Sequence, residues 1–204
     1  MSALRPILLL LALVLAGTGA FIALGPVTGG PPQFQEARLL DVPRSLERFE
    51  LVDQRGESFR RQDLKERWNL VFVGFTHCPD ICPATLHLLD TLDQRLRSDG
   101  YDLNPVFVSV DPERDTPEVL ARYVGHFSDR ILGATGPHDQ LERLCEGLGF
   151  AYIRIPGSEG RYTIDHSGAL ALIDPQARLV GYFLPPFDPD GVAADLAMVL
   201  EQTR

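Results

Sequence analysis

Two cysteines at the junction of an apolar run and a helical pattern constrain this chain more than any other feature. The run Val71-Phe-Val-Gly-Phe75 is followed by Cys78 and Cys82, and a helical pattern begins at Ala84. Because the cysteines are four residues apart, one helical turn would place both thiols on one face, with Cβ atoms about 5–6 Å apart. A relaxed disulfide needs Cβ atoms about 3.8 Å apart, so this spacing suits two thiolates holding one soft cation.

Pro83 restricts the backbone around the second cysteine. Proline disfavours the α conformation of the residue before it and is well suited to the first position of a helix. We therefore expect Cys82 at the N-cap, where unpaired amides and the helix dipole favour a thiolate. Asp80 lies between the thiols, and it is expected either to tune the charge of the loop or to cap the helix.

Composition narrows the class of protein. The 204 residues are enough for one domain of about 150–170 residues and an N-terminal extension. An apolar fraction of 45% and a charged fraction of 23% are typical of a globular protein. The net charge of −9 argues against nucleic acid as a partner, because phosphate binding needs clustered Lys and Arg. Three cysteines are too few for a disulfide scaffold.

The N-terminus contains an uncharged apolar segment from Pro6 to Leu24. In a helix such a segment would span roughly 28 Å, close to the thickness of a bilayer core. Since Arg5 is the nearest charge, the positive-inside rule places residues 1–5 in the cytoplasm. We predict a membrane anchor over residues 1–24, with a cleaved signal peptide as the alternative. The layout indicates a bacterial inner-membrane protein with a single span and its domain in the periplasm.

The rest of the chain alternates between strand and helix patterns. Residues 25–45, with a Gly-Gly-Pro-Pro segment, are predicted to be a flexible linker, and residues 46–204 to be one domain. A dithiol at the first strand-to-helix junction, a late hairpin and a final helix are typical of a thioredoxin-like α/β fold with a mixed sheet between helices. Strands are predicted near residues 49–52, 57–59, 69–75, 105–110, 130–133, 151–155, 162–164, 169–173 and 179–183, and helices from residues 84, 117, 139 and 189.

Three motifs make the chain similar to the Sco/SenC family. They are Gly74-Phe-Thr-His-Cys-Pro-Asp-Ile-Cys-Pro83, Val108-Ser-Val-Asp-Pro-Glu-Arg-Asp-Thr-Pro117, and Asp165-His-Ser167 ahead of Leu172-Ile-Asp-Pro175. They occur in the family's order, and the similarity runs from about Phe49 to the final helix. Proteins of this family are membrane-anchored, thioredoxin-like copper chaperones, so the resemblance implies the same fold and cargo for this chain.

The resemblance maps the family's copper ligands onto Cys78, Cys82 and His166. Two thiolates and an imidazole suit Cu(I), with Cu(II) as a second state, because Cu(I) accepts low coordination whereas structural zinc almost always takes four ligands. Cys145, on a helix, is expected to be a buried apolar residue. Asp111 follows a strand whose carboxyl end should face the thiols. It is expected either to orient the ligand residues without binding the metal itself, or to form a local Asx turn.

Two functions remain open on the sequence. The resemblance implies a copper metallochaperone, not an enzyme, which delivers copper to the binuclear copper site of cytochrome c oxidase subunit II or exchanges it with other exported copper carriers. The alternative is a thiol–disulfide oxidoreductase that reduces the recipient's copper-binding cysteines or senses redox state. In that case Cys78 and Cys82 would form the redox pair, with Cys82 as the attacking thiolate. The cysteine spacing and the added histidine favour the metal.

Overall fold

The apolar run before the cysteines forms the central strand of the main sheet. In the computed structural model, which describes residues 33–201, β4 spans Trp68–Gly74 and all seven of its residues are buried. It pairs in parallel with β5 (Leu103–Ser109) and antiparallel with β9 (Leu170–Ile173). Because both faces of this strand are covered, an uninterrupted apolar sequence is stable there.

Within residues 33–201 the main sheet has eight strands in the order β1-β10-β9-β4-β5-β6-β2-β3. β4, β5 and β6 run parallel and the other neighbours antiparallel, which confirms the predicted mixed, thioredoxin-like sheet. β7 (Tyr152–Pro156) and β8 (Tyr162–His166) form a separate two-stranded hairpin. The remaining strands are β1 Ala37–Ser45, β2 Glu50–Asp53, β3 Ser58–Arg60, β6 Leu132–Thr135 and β10 Arg178–Phe183.

Four α-helices within the described range cover both faces of the sheet. α1, α2 and α4 share one buried cluster with Leu70 and Phe72 of β4. α3 packs on the opposite face in a second cluster with Val71 and Val73. Alternate residues of β4 thus enter different cores, as the two-residue period of a strand requires. The helices are α1 Ile81–Ser98, α2 Pro117–Gly125, α3 His138–Leu148 and α4 Pro189–Glu201, and short 3-10 turns occur at Arg61–Leu64 and Ser158–Gly160.

The predicted linker overlaps a strand, so that prediction is wrong for residues 37–45. β1 pairs with β10, with Ala37 opposite Phe183. The buried Asp195 of α4 accepts the backbone N–H groups of Glu36 (2.7 Å) and Ala37 (2.8 Å). Ala37 is the single fully buried residue of this strand in the described chain. The pairing therefore depends on backbone hydrogen bonds, which leave little trace in residue composition.

The N-terminal anchor prediction lies outside the described residues. It concerns residues 1–24, and the first part of the predicted linker, residues 25–32, is outside the described range as well. Across residues 33–201, no helix is both long enough and apolar enough to cross a membrane.

Candidate metal centre

The carboxyl end of β4 leads directly into the cysteine loop. α1 begins at Ile81 with Asp80 at its N-cap. The prediction that Cys82 is the N-cap is therefore wrong, because Cys82 is the second helical residue. Pro83 is accepted at the third position because the first N–H groups of a helix have no intrahelical partner in any case. The exposed Asp80 side chain makes no capping hydrogen bond with the described residues, so a role in the charge of the loop fits this geometry better.

The two thiols differ in their access to solvent. Cys78 is partly exposed and Cys82 is fully buried, and both are free cysteines. The backbone N–H of Cys82 donates to Sγ of Cys78 over 3.4 Å. Burial raises the pKa of the Cys82 thiol far above its ordinary value, and the neighbouring Cys78 adds to the rise. The predicted thiolate-favouring environment for Cys82 is therefore wrong, because desolvation outweighs the helix terminus.

Gly74 makes room for the buried sulfur. A Cβ atom at this position would lie 2.7 Å from Sγ of Cys82 and 3.0 Å from Cε2 of Phe107. No larger residue fits there without displacing the thiol or the ring. This role of Gly74 was not predicted from the sequence, although a glycine within a strand often marks such a close approach.

His166 is the last residue of β8, and the hairpin brings it to the buried thiol. Its Nε2 lies 3.6 Å from Sγ of Cys82, and its Nδ1 lies 3.1 Å from the carbonyl oxygen of Ser167. The imidazole meets the rings of Phe72 and Phe75 edge-on, with centroid distances of 5.8 and 5.9 Å. A proton on Nδ1 would satisfy the Ser167 carbonyl and leave the lone pair of Nε2 directed at the sulfur.

The structure brings together the three residues that the sequence selected as ligands. One ligand atom from each of Cys78, Cys82 and His166 lies within 4.8 Å of the other two. A d¹⁰ metal ion forms bonds of about 2.0–2.3 Å to nitrogen and sulfur, so ligands on opposite sides of one ion are up to about 4.6 Å apart. The three atoms therefore fit around a single ion after small adjustments, and they form a soft donor set.

A second group of potential ligands lies beside this site and serves a structural purpose. It contains His77, Asp111 and Asp115, whose ligand atoms are also within 4.8 Å of one another. Asp115 is fully buried and accepts hydrogen bonds from the backbone N–H of Thr76 (2.8 Å) and from Ser109 Oγ (2.5 Å). Through these hydrogen bonds the Asp115 carboxylate fixes the segment that precedes Cys78.

Asp111 likewise has protein partners. Its buried carboxylate accepts hydrogen bonds from Tyr162 Oη at 2.6 Å and from Arg114 Nε at 2.5 Å. The partners of Asp111 thus connect the loop after β5 to the hairpin that carries His166. Arg114, Tyr162 and Asp115 were not predicted from the sequence as residues of the site. The only available signal was the polar loop at the carboxyl end of β5, which has no pattern that identifies its distant partners.

Cys145 takes no part in either group. It is buried in α3 among the residues of the second core cluster, as predicted for an apolar residue. Burial raises the pKa of this thiol to about 12, so it stays protonated and unreactive near neutral pH.

Fold and site together define a thioredoxin-like α/β protein that gathers two thiols and one imidazole at its first strand-to-helix junction. Residues 39–201 match the SCO1/SenC family, and the chain belongs to that family. The Bos taurus protein named as the mitochondrial SCO2 homolog is 37% identical over 185 residues, which cover 88% of this chain and 70% of that protein.

Solved structures agree with this assignment. Copper-bound ScoI of Arabidopsis thaliana superposes with a TM-score of 0.73 at 30% identity, over 76% of this chain and 98% of that one. BsSco, described as a member of the Sco family of cytochrome c oxidase assembly proteins, superposes with a TM-score of 0.62 at 23% identity. That alignment covers 78% of this chain and 96% of BsSco, and it shows likeness of fold alone.

Proposed function

We propose that this protein is a copper metallochaperone that binds Cu(I), and Cu(II) as a second state, through Cys78, Cys82 and His166. The observation that carries the proposal is the convergence of two sulfurs and one imidazole nitrogen within 4.8 Å. Thiolate ligands select Cu(I), and a three-ligand set suits an ion that accepts low coordination. The copper bound to the Arabidopsis relative supports the same cargo.

The different exposure of the two thiols suits transfer of the ion. Cys82 and His166 hold the inner side of the site, where Phe72 and Phe75 pack against the imidazole. Cys78 is the accessible ligand, so an incoming thiolate of a recipient can approach the ion from that side before the other ligands leave. Copper must displace the thiol protons as it binds, because thiolates are the metal ligands.

The proposed recipient is the binuclear copper site of cytochrome c oxidase subunit II, and other exported copper carriers are further exchange partners. Membership of the SCO1/SenC family supports this choice. The proposal includes a bacterial inner-membrane location in which residues 1–24 span the membrane once and the domain faces the periplasm. A tethered carrier would meet membrane-bound recipients at a raised effective concentration.

A thiol–disulfide oxidoreductase is the second candidate, and the exposure of Cys78 favours a specific version of it. The accessible Cys78 would attack a recipient's disulfide and form a mixed disulfide. Cys82 would then attack Cys78, releasing the recipient's two thiols and leaving the Cys78–Cys82 disulfide. This order reverses the one expected from the sequence, because the buried Cys82 has the raised pKa.

Copper titration of the full chain tests the leading proposal. Cys78→Ser, Cys82→Ser and His166→Ala should each weaken Cu(I) binding by about tenfold or more in competition with a chromogenic chelator. His126→Ala is the matched control, since His126 is exposed at the end of α2. Wild-type affinity in all three ligand variants would refute the site. Copper-independent disulfide reduction that persists without His166 would favour the oxidoreductase.

A further inference from the structure

The hairpin that carries His166 lies outside the main sheet. β7 and β8 pair only with each other among the described strands, with Tyr152 opposite His166 and Pro156 opposite Tyr162. The sheet therefore contributes no ladder hydrogen bonds that hold this ligand against the thiols. Side-chain contacts therefore contribute to its position, and those of Tyr162 lie at the start of β8.

Arg114 joins the first residue of β8 to the loop that follows β5. Its guanidinium carbon lies 3.8 Å from the ring centroid of Tyr162, and its Nη1 donates to the Tyr162 carbonyl over 3.3 Å. Its Nε donates to Asp111, which also accepts the hydroxyl of Tyr162. The Asp111 side chain is fully buried and the side chains of Arg114 and Tyr162 are partly exposed, so the three residues form a closed triangle around a buried carboxylate.

A second guanidinium supports the same ring from the hairpin itself. Arg154 lies 4.2 Å from the Tyr162 centroid and forms an ion pair with Glu113 over 2.7 Å. Glu113 is also 3.0 Å from Nε2 of His138, the first residue of α3. The hydrogen bond from His138 is the main reason that the pKa of Glu113 falls to about 2. These contacts tie the hairpin to α3 as well.

Arg114 also approaches the cysteine side of the site. Its guanidinium lies 5.8 Å from the ring of Phe75, the ring that meets His166 edge-on. Its Nη2 is buried and has no hydrogen-bond partner among residues 33–201. The guanidinium thus lies near two aromatic rings, an arrangement that arginine tolerates better than lysine because it is planar and weakly hydrated.

We propose that Arg114 is a positioning residue for copper binding. By closing the triangle with Asp111 and Tyr162, it holds β8 so that Nε2 of His166 faces Sγ of Cys82. This inference rests on the proposed function and extends it to a residue that does not touch the ion. It also assigns a purpose to Asp111, whose carboxylate acts on the ligand through Arg114 and Tyr162.

A double-mutant cycle in the full chain tests the inference. Arg114→Gln should weaken Cu(I) binding by about tenfold, as supporting groups of metal ligands commonly do, and should shift the visible Cu(II)–thiolate spectrum toward that of His166→Ala. In the His166→Ala background, Arg114→Gln should cause no further loss. Arg114→Lys, which keeps the charge without the planar fork, should fall between wild type and Arg114→Gln. Arg60→Gln, which breaks an exposed ion pair with Glu50, is the matched control.

Amide hydrogen exchange on the metal-free protein gives a readout that does not depend on copper. Arg114→Gln or Arg114→Lys should speed exchange in β8 about tenfold or more while β4 stays protected, as expected for local release of a hairpin. Equal copper loss with and without His166, or unchanged exchange in β8, would overturn this inference and leave the proposed function standing. Equal copper affinity of wild type and His166→Ala would instead overturn the ligand role of His166, which belongs to the proposed function.

Discussion

Replacing Gly74 with alanine tests the tightest contact of the site. The new Cβ would lie 2.7 Å from Cys82 Sγ, 3.0 Å from Phe107 Cε2 and 3.2 Å from Phe72 Cε1. All three neighbours have 0% exposure, so none can move into open space. Overpacking of a core costs about 1–3 kcal/mol, and alanine regains about 0.5–1 kcal/mol of backbone entropy relative to glycine. The middle of these two ranges gives a net loss of about 1 kcal/mol, which lowers Tm by about 2–4 °C for a domain of this size.

Thermal unfolding of the reduced, metal-free protein, followed by circular dichroism, measures this change. Gly125→Ala is the matched control, because a Cβ at Gly125, the last residue of α2, would have no described heavy atom within 4 Å apart from its chain neighbours and the backbone of its own helix. Alanine is the better helix former there, so Tm should stay constant or rise. Gly74→Ala should also weaken copper binding, since the displaced atom is a proposed ligand. The same Tm in both variants would refute the packing argument.

Two further predictions follow from the burial of particular groups. Iodoacetamide should label Cys78 of the metal-free protein well before Cys82 and Cys145, because burial raises the pKa of both of the latter thiols. Peptide mass spectrometry measures the rates, and equal rates at Cys78 and Cys82 would contradict the structure. Asp195→Ala should destabilise the protein by about 1–3 kcal/mol, since it leaves the buried N–H of Ala37 unpaired. Urea unfolding measures this loss, and an unchanged midpoint would show that the carboxylate does not hold β1.

Much of the fold could be predicted from local patterns. The continuous apolar run at β4 indicated a strand covered on both faces, and the leucines of α1 indicated a helix with one buried side. Both signals are repeated over several residues, so single exceptions do not hide them. β1 was not predicted as a strand, because eight of its nine residues are partly or fully exposed and give no strand pattern. Its stability comes from pairing with β10 and from hydrogen bonds to Asp195.

The site was only partly predictable for a different reason. The spacing of Cys78 and Cys82 pointed to a soft metal ion, and the family resemblance added His166. The ionisation of Cys82 could not be read from Pro83 and the helix start, because it depends on how much solvent the folded core removes. The links from Arg114 to Asp111 and Tyr162 depend on which loop the hairpin folds against.

The sequence by itself determined the order of strands and helices from β2 onward, the two-residue alternation that separates the cores, and the chemical kinds of the proposed ligands. These properties depend on residue types and on patterns that repeat every few residues, so they are visible in the sequence. Only the tertiary structure decided that an imidazole 84 residues beyond Cys82 comes within 3.6 Å of its sulfur. It also decided that Cys82 is the buried thiol and Cys78 the accessible one, because burial depends on the packing of distant segments against the end of β4.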